Sequence, residues 1–121
     1  MSPLAAGVDL IAVARIEGVI ARHGEGFLAR VFTPAERAAC CDRAESLAAR
    51  WAAKEAVAKA LGTGIGDVCW QDIEVLQDEN RRPHLHLSGR AAVLAEEQGL
   101  RQWAVSLAHD GGLALAFVVC I

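Results

Sequence analysis

The sequence predicts an α+β domain in which helices pack on a mostly antiparallel sheet. Three observations carry that expectation. Alanines at positions Ala48, Ala49, Ala52, Ala53, Ala56, Ala58 and Ala60 spread around most of a helix circumference, so that helix is packed on more than one side. Two apolar stretches, Trp103–Ala108 and Leu113–Ile121, flank Asp110-Gly111-Gly112, which is a hairpin signal. The element order (strand, helices, strand pair, helix, hairpin) is that of an α+β chain.

Each element follows from local signals. Residues 5–13 read as a buried strand. Ile16, Val19 and Ile20 have helical spacing over residues 14–23, with a stop at His23-Gly24, and Phe27, Leu28 and Val31 mark a further helical turn. Thr33-Pro34-Ala35-Glu36 is a helix start, with Thr33 as cap, Pro34 at the first helical position and Glu36 completing a capping box. That helix runs to about Asp42, and the alanine-rich helix follows over 45–61. Gln71–Gln77 alternates apolar Ile73 and Val75 with polar neighbours, and His84–Leu87 alternates again after a polar connection. Residues 88–98 suit a helix closing at Gly99. The last strand is apolar almost throughout, which predicts that both of its faces are covered.

Composition bounds the function. A chain of 121 residues fits one domain, residues 1–121, with a modest core. With 54% hydrophobic residues it is not a disordered chain. A formal charge of −3 argues against a general nucleic-acid binder, although Arg43, Arg50 and Arg81-Arg82 offer a local basic patch. The four cysteines, Cys40, Cys41, Cys69 and Cys120, show no C-x-x-C spacing and predict reduced thiols in a cytoplasmic protein instead of a zinc site or a disulfide framework. No leader and no membrane-crossing segment is legible.

Charged residues near packed surfaces mark the candidate chemistry. Asp9 in the middle of an apolar strand is either a paired structural acid or a ligand. Glu55 and Lys59 share one helical face, and Arg50, Lys54, Glu55 and Lys59 need partners if the helix is packed all round. The helix runs into Gly62-Thr63-Gly64-Ile65-Gly66. One reading is a C-cap followed by a turn, which suits Gly62; the other is a nest of backbone N–H groups for an anion. It is no P-loop, because it ends a helix and lacks the Gly-Lys-Ser/Thr run. His84 and His86 share a strand face and read as its solvated side. Ser106 and His109 lie at a strand end beside Asp110-Gly111. No Ser/His/Asp order marks a triad, and neither Cys40 nor Cys41 has an activating base.

Taken in order, Gly7-Val8-Asp9-Leu10, Arg30-Val31-Phe32-Thr33-Pro34-Ala35-Glu36, Arg50-Trp51-Ala52-Ala53-Lys54-Glu55-Ala56-Val57-Ala58-Lys59-Ala60, Gly62–Gly66 and Val105-Ser106-Leu107-Ala108-His109-Asp110 resemble the holo-acyl-carrier-protein synthases. These are the small single-domain class of 4′-phosphopantetheinyl transferases. The resemblance implies transfer of phosphopantetheine from coenzyme A to a serine of apo acyl carrier protein, with release of 3′,5′-ADP. It implies Asp9 and Glu55 as ligands of a magnesium ion (Mg2+) and, with Lys59, as the catalytic residues. The base that takes the serine proton is Glu55 or a metal-bound water. Arg50, Lys54, Gly62, Thr63, Gly64, Ile65 and Gly66 would hold coenzyme A phosphates and nucleotide. Ser106 and His109 would meet the 3′-phosphate from a neighbouring subunit of a homotrimer. Arg15, Arg22, Arg30 and Arg43 are expected contributors to a docking surface for the acidic carrier. The chain departs from the family at Asn80-Arg81-Arg82-Pro83, where Asn-Gly-Lys-Pro is common, which predicts a changed turn. Two other readings use the same residues: a magnesium-dependent hydrolase of the coenzyme A pyrophosphate, and a non-catalytic coenzyme A-binding module.

Overall fold

In this computed structural model, which describes residues 3–121, strand β1 (Ala5–Ala12) leads into helices α1 (Val13–Val31), α2 (Pro34–Cys40) and α3 (Ala44–Ala60). A 3₁₀ turn (Trp70–Asp72) precedes the hairpin of β2 (Ile73–Gln77) and β3 (Pro83–Leu87). Helix α4 (Gly89–Glu97) and the hairpin of β4 (Trp103–Asp110) and β5 (Leu113–Cys120) follow. β5 lies between β1 and β4 in an antiparallel sheet, and β2 and β3 pair antiparallel in a second one. The expected α+β class is borne out.

Small residues set how closely the layers approach. Gly7, Ile11, Ala114, Ala116 and Val118 form the inner sheet face, and Ala52, Ala53 and Ala56 of α3 are buried against the core. A Cβ at Gly7 would overlap the carbonyl oxygen of Ala56, so only glycine lets β1 lie this close to α3. The β4–β5 turn places Gly111 and Gly112 at φ 58° and 80°. Such a pair of left-handed residues matches the twist of the flanking strands.

Most boundaries agree with the sequence, and the differences have local causes. The two helical pieces expected before Thr33 are halves of α1, redirected at Gly24, which takes φ 53° and ψ −132°. The strand expected from Gln71 begins at Ile73, because the 3₁₀ turn intervenes and the Asp72 carboxylate accepts the Cys69 N–H at 3.2 Å. The last strand is covered on one face only within the chain. Leu113 and Phe117 remain 45% and 44% exposed on the outer face, beside Val8 and Leu10 of β1 at 48% and 57%.

The Thr33 capping box forms as expected, and its glutamate has a second role. Glu36 is fully buried. Its Oε1 accepts the Thr33 N–H and the Lys54 ammonium, each at 2.9 Å, and its Oε2 accepts the Val75 N–H at 3.0 Å. Lys54 also donates to the carbonyls of Trp70 and Ile73. One buried ion pair therefore ties α2, α3, the 3₁₀ turn and β2 together. Burial pulls the Lys54 pKa below the ordinary lysine value, and the Glu36 charge opposes that shift.

Removing one partner of such a pair strands the other charge away from water. Lys54→Met is expected to cost about 3–5 kcal/mol, measured by urea unfolding. The double variant Glu36→Gln/Lys54→Met should recover a large part of that loss. A single variant as stable as the native chain would show that the pair does not hold these elements together.

Candidate functional site

The contact of β1 with α3 brings together residues that are far apart in the chain. Asp9 follows Gly7 by two positions, so its side chain shares the strand face turned toward α3. Its Oδ1 accepts the Lys59 ammonium at 2.9 Å, and Lys59 also donates to the carbonyl of Val8 at 2.9 Å. Asp9 Oδ2 is buried and has no partner among the described residues. Glu55 stands one helical turn before Lys59. Its carboxyl titrates above the ordinary glutamate value, first because it is partly buried and second because the Asp9 charge is near; Lys59 and Arg15 oppose the shift. The three expected reaction-centre residues thus form one cluster.

Two neighbouring carboxylates, one of which keeps an unpartnered oxygen beside its Lys59 contact, could hold a cation. Among the described residues no group of three or more His, Cys, Asp or Glu side chains is placed to hold a metal. A pair of carboxylates is too few for a closed zinc site. It fits magnesium, which commonly takes one or two carboxylates and fills its other positions with phosphate oxygens and water.

The nucleotide residues expected from the sequence divide into three groups. Glu55, Ile65 and Gly66 line a cavity of about 690 Å³ together with Arg30, Cys69 and Trp70. Arg50, Ser106 and His109 line another of about 830 Å³ that shares no residue with the first. Arg50 is 3% exposed, and its Nε and Nη2 have no acceptor among the described residues. His109 Nδ1 lies 4.0 Å from a Glu45 oxygen. Ser106 is exposed and pairs with Phe117, so it belongs to the outer sheet face, whereas His109 has the opposite parity.

Lys54 forms the third group and corrects the sequence reading. It is fully buried and directs its ammonium to Glu36 and two carbonyls, which uses all three of its donors, so it has none left for a coenzyme A phosphate. The glycine loop is also only partly a nest. Gly62, at φ 77°, and Thr63 close α3 through N–H bonds to Lys59 and Ala58, a Schellman cap, and the Gly66 N–H donates to Val68. Only Gly64 and Ile65 keep backbone donors free of hydrogen bonds within the described residues.

The sequence reading missed Glu36 as the partner of Lys54. The signal was present, because a capping-box glutamate sits at the start of a helix that precedes an alanine-rich one. It also left His84 on a solvated strand face. His84 and His86 are indeed exposed, but His84 borders the cavity that holds Arg50.

A helix bearing Glu55 and Lys59, seated on a short strand that carries Asp9, defines a class. The family model of the 4′-phosphopantetheinyl transferase superfamily matches residues 5–118, and the chain belongs to that family. Within it, the likeness is to the holo-[acyl-carrier-protein] synthases. That of Herpetosiphon aurantiacus is 50% identical over 123 residues, covering 96% of this chain and 97% of the relative. That of Moorella thermoacetica is 51% identical over 116 residues, covering 93% and 90%. The structure of the Helicobacter pylori holo-[acyl-carrier-protein] synthase in complex with coenzyme A superposes with a TM-score of 0.88 at 32% identity, covering 96% of this chain and 99% of that one. The Chronobacterium ammoniagenes ACPS–CoA complex gives 0.86 at 35% identity, covering 98% and 96%.

A carboxyl group with a raised pKa in the folded chain lowers stability as pH rises through that value, because the unfolded chain gives up its proton more readily. Glu55→Gln is therefore expected to raise Tm near pH 7, and the gain should vanish below about pH 4, where the group is protonated in both states. A thermal melt series across that range checks it. A variant no more stable than the native chain near neutrality would remove the crowded-carboxylate account.

Proposed function

We propose that this protein transfers the 4′-phosphopantetheine group from coenzyme A to a serine of an apo acyl carrier protein and releases 3′,5′-ADP. The observation that carries this reading is the cluster of Asp9, Glu55 and Lys59, with the Asp9 Oδ2 left unpartnered, in a chain of this family. Asp9 and Glu55 are the residues that would hold a magnesium ion. When bound, the ion neutralises charge on the coenzyme A pyrophosphate.

The remaining roles fall to the chain's own groups. The serine oxygen attacks the phosphorus that carries the pantetheine arm, and the bond from that phosphorus to the bridging oxygen breaks. The bridging oxygen leaves with 3′,5′-ADP. Lys59 holds its ammonium beside Asp9 and, by releasing the Val8 carbonyl, can meet the charge that develops on that oxygen. Glu55, one helical turn from Lys59 on the same face of α3, would be the side-chain acceptor for the serine proton.

Two features support a homotrimer whose active site is shared between protomers. The outer sheet face is apolar and half-exposed at Val8, Leu10, Leu113 and Phe117. The cavity with Arg50, Ser106 and His109 is separate from the one with Glu55, Ile65 and Gly66, so a neighbour can supply one half of the coenzyme A contacts. We place carrier docking on the basic residues Arg15, Arg22 and Arg30 of α1 and on Arg43, all exposed. Arg30 also borders the Glu55 cavity. The protein acts as one domain. The free thiols, of which Cys41 and Cys69 are exposed, suit a reducing compartment, and we assign it to the cytoplasm. No helix among the described residues is long and apolar enough to cross a membrane.

Intact-protein mass spectrometry of an apo acyl carrier protein with this protein, coenzyme A and magnesium tests the reading. The expected result is a mass gain of one phosphopantetheine group, abolished by chelator and by Asp9→Ala or Glu55→Ala. Magnesium should also raise the Tm of the native protein more than that of either variant. Release of 3′,5′-ADP with no gain in carrier mass would instead show a hydrolase of the coenzyme A pyrophosphate.

A further inference from the structure

Arg81 occupies a backbone conformation that an arginine adopts at a cost. It lies in the connection 78–82 between β2 and β3 and takes φ 64°, in the left-handed region that favours glycine and asparagine. The connection is held by Asp78. Its Oδ1 accepts the N–H groups of Asn80 and Arg82 at 2.8 and 2.9 Å. Its carbonyl accepts the Arg81 N–H at 2.9 Å, and its own N–H donates to Arg82 at 3.0 Å. At the position where the family commonly has glycine, this turn thus holds an arginine in the left-handed region. Strain of this kind collects where a ligand is held.

The cavity beside it is built for an anion. Arg50, Arg81, Arg82, His84 and His109 line it, and no carboxylate does. Neither Arg50 nor Arg81 makes an ion pair among the described residues. The deepest of these side chains, Arg50, is 3% exposed and carries two buried nitrogens without an acceptor. A buried guanidinium left in that state needs an acceptor with several oxygens. A phosphomonoester supplies three and carries close to two negative charges near neutral pH.

We propose that Arg81 is a specificity-determining residue that, with Arg50, takes the 3′-phosphate of coenzyme A and thereby selects against dephospho-coenzyme A. The proposal rests on the transferase reading for the identity of the nucleotide. The pyrophosphate belongs with Asp9, Glu55 and Lys59, which do not line this cavity, so the 3′-phosphate is the anionic group of the same substrate that remains.

Calorimetric titration of the native protein, Arg81→Gly and Arg81→Lys with 3′,5′-ADP and with 5′-AMP tests it. Arg81→Gly relieves the turn, so its Tm should equal or exceed that of the native protein. Its affinity for 3′,5′-ADP should fall about ten- to a hundredfold, with 5′-AMP affinity unchanged, and Arg81→Lys should lie between. The preference for coenzyme A over dephospho-coenzyme A in kcat/KM should shrink in parallel. An equal loss for both nucleotides would move Arg81 to a group they share. Unchanged affinities with a shifted Tm would make Arg81 a turn residue only. Either result overturns the proposal. Failure of the transferase reading shows separately, as a native protein that prefers 3′,5′-ADP yet modifies no carrier.

Discussion

Everything at the site depends on how closely β1 lies on α3. At Gly7 the strand has no side chain, and the carbonyl of Ala56 occupies the space a methyl would need. Alanines on the facing helix allow the same closeness from the other side. The result is more than dense packing. Two positions after Gly7 on the strand stands Asp9, and one position before Ala56 on the helix stands Glu55. A shallow contact would leave these carboxylates apart and separately solvated. The deep one partly buries Glu55 and sets the Asp9 charge beside it, and in that order the two raise the Glu55 pKa. Packing of small residues is here the source of the electrostatic tension.

That tension is relieved differently along the same helix. Lys54 and Lys59 lie more than one turn apart, on different faces of α3. The first is sealed among Glu36 and two backbone carbonyls. The second is half-exposed and reaches Asp9 and Val8 from the rim. A fully bonded ammonium in the core rigidifies four elements and is inert. A half-exposed one with a carbonyl among its partners can exchange that partner for a phosphate oxygen. Lysine chemistry in this chain is therefore decided by helical phase, since composition and neighbouring residues are nearly alike.

Local features were legible in the sequence where the physics is local. Thr33-Pro34-Ala35-Glu36 announces a capping box, and the box forms. Gly111-Gly112 announces a tight hairpin and takes left-handed angles at both positions. The kink at Gly24 was visible as a stop, although the helix resumes after it. What the residues could not state on their own was pairing across the chain. The Asp9–Lys59 contact spans a sequence separation of 50, and only the family resemblance placed the two together. Lys54 was misassigned for the converse reason. Its motif position beside Glu55 points to the ligand, whereas its azimuth on α3 points inward. Gly62 was readable as a cap, but the extent of the nest depended on which amides the loop uses for itself. The missing glycine at Arg81 was legible as a departure in the turn, but the Asp78 side chain that holds the turn with Arg81 at positive φ was not.

The alternation along β1 has a consequence of its own. Gly7, Asp9 and Ile11 face the helix, while Val8 and Leu10 face outward among Leu115 and Phe117 of β5. Chemistry and outer surface are thus written in alternate letters of one short word. A slip of a single residue against β5 would carry Asp9 to the outside and turn Val8 and Leu10 toward the helix, exchanging both sets in one move. An insertion or deletion of one residue in this strand therefore swaps the two faces unless a bulge absorbs it, whereas substitution in place leaves both intact.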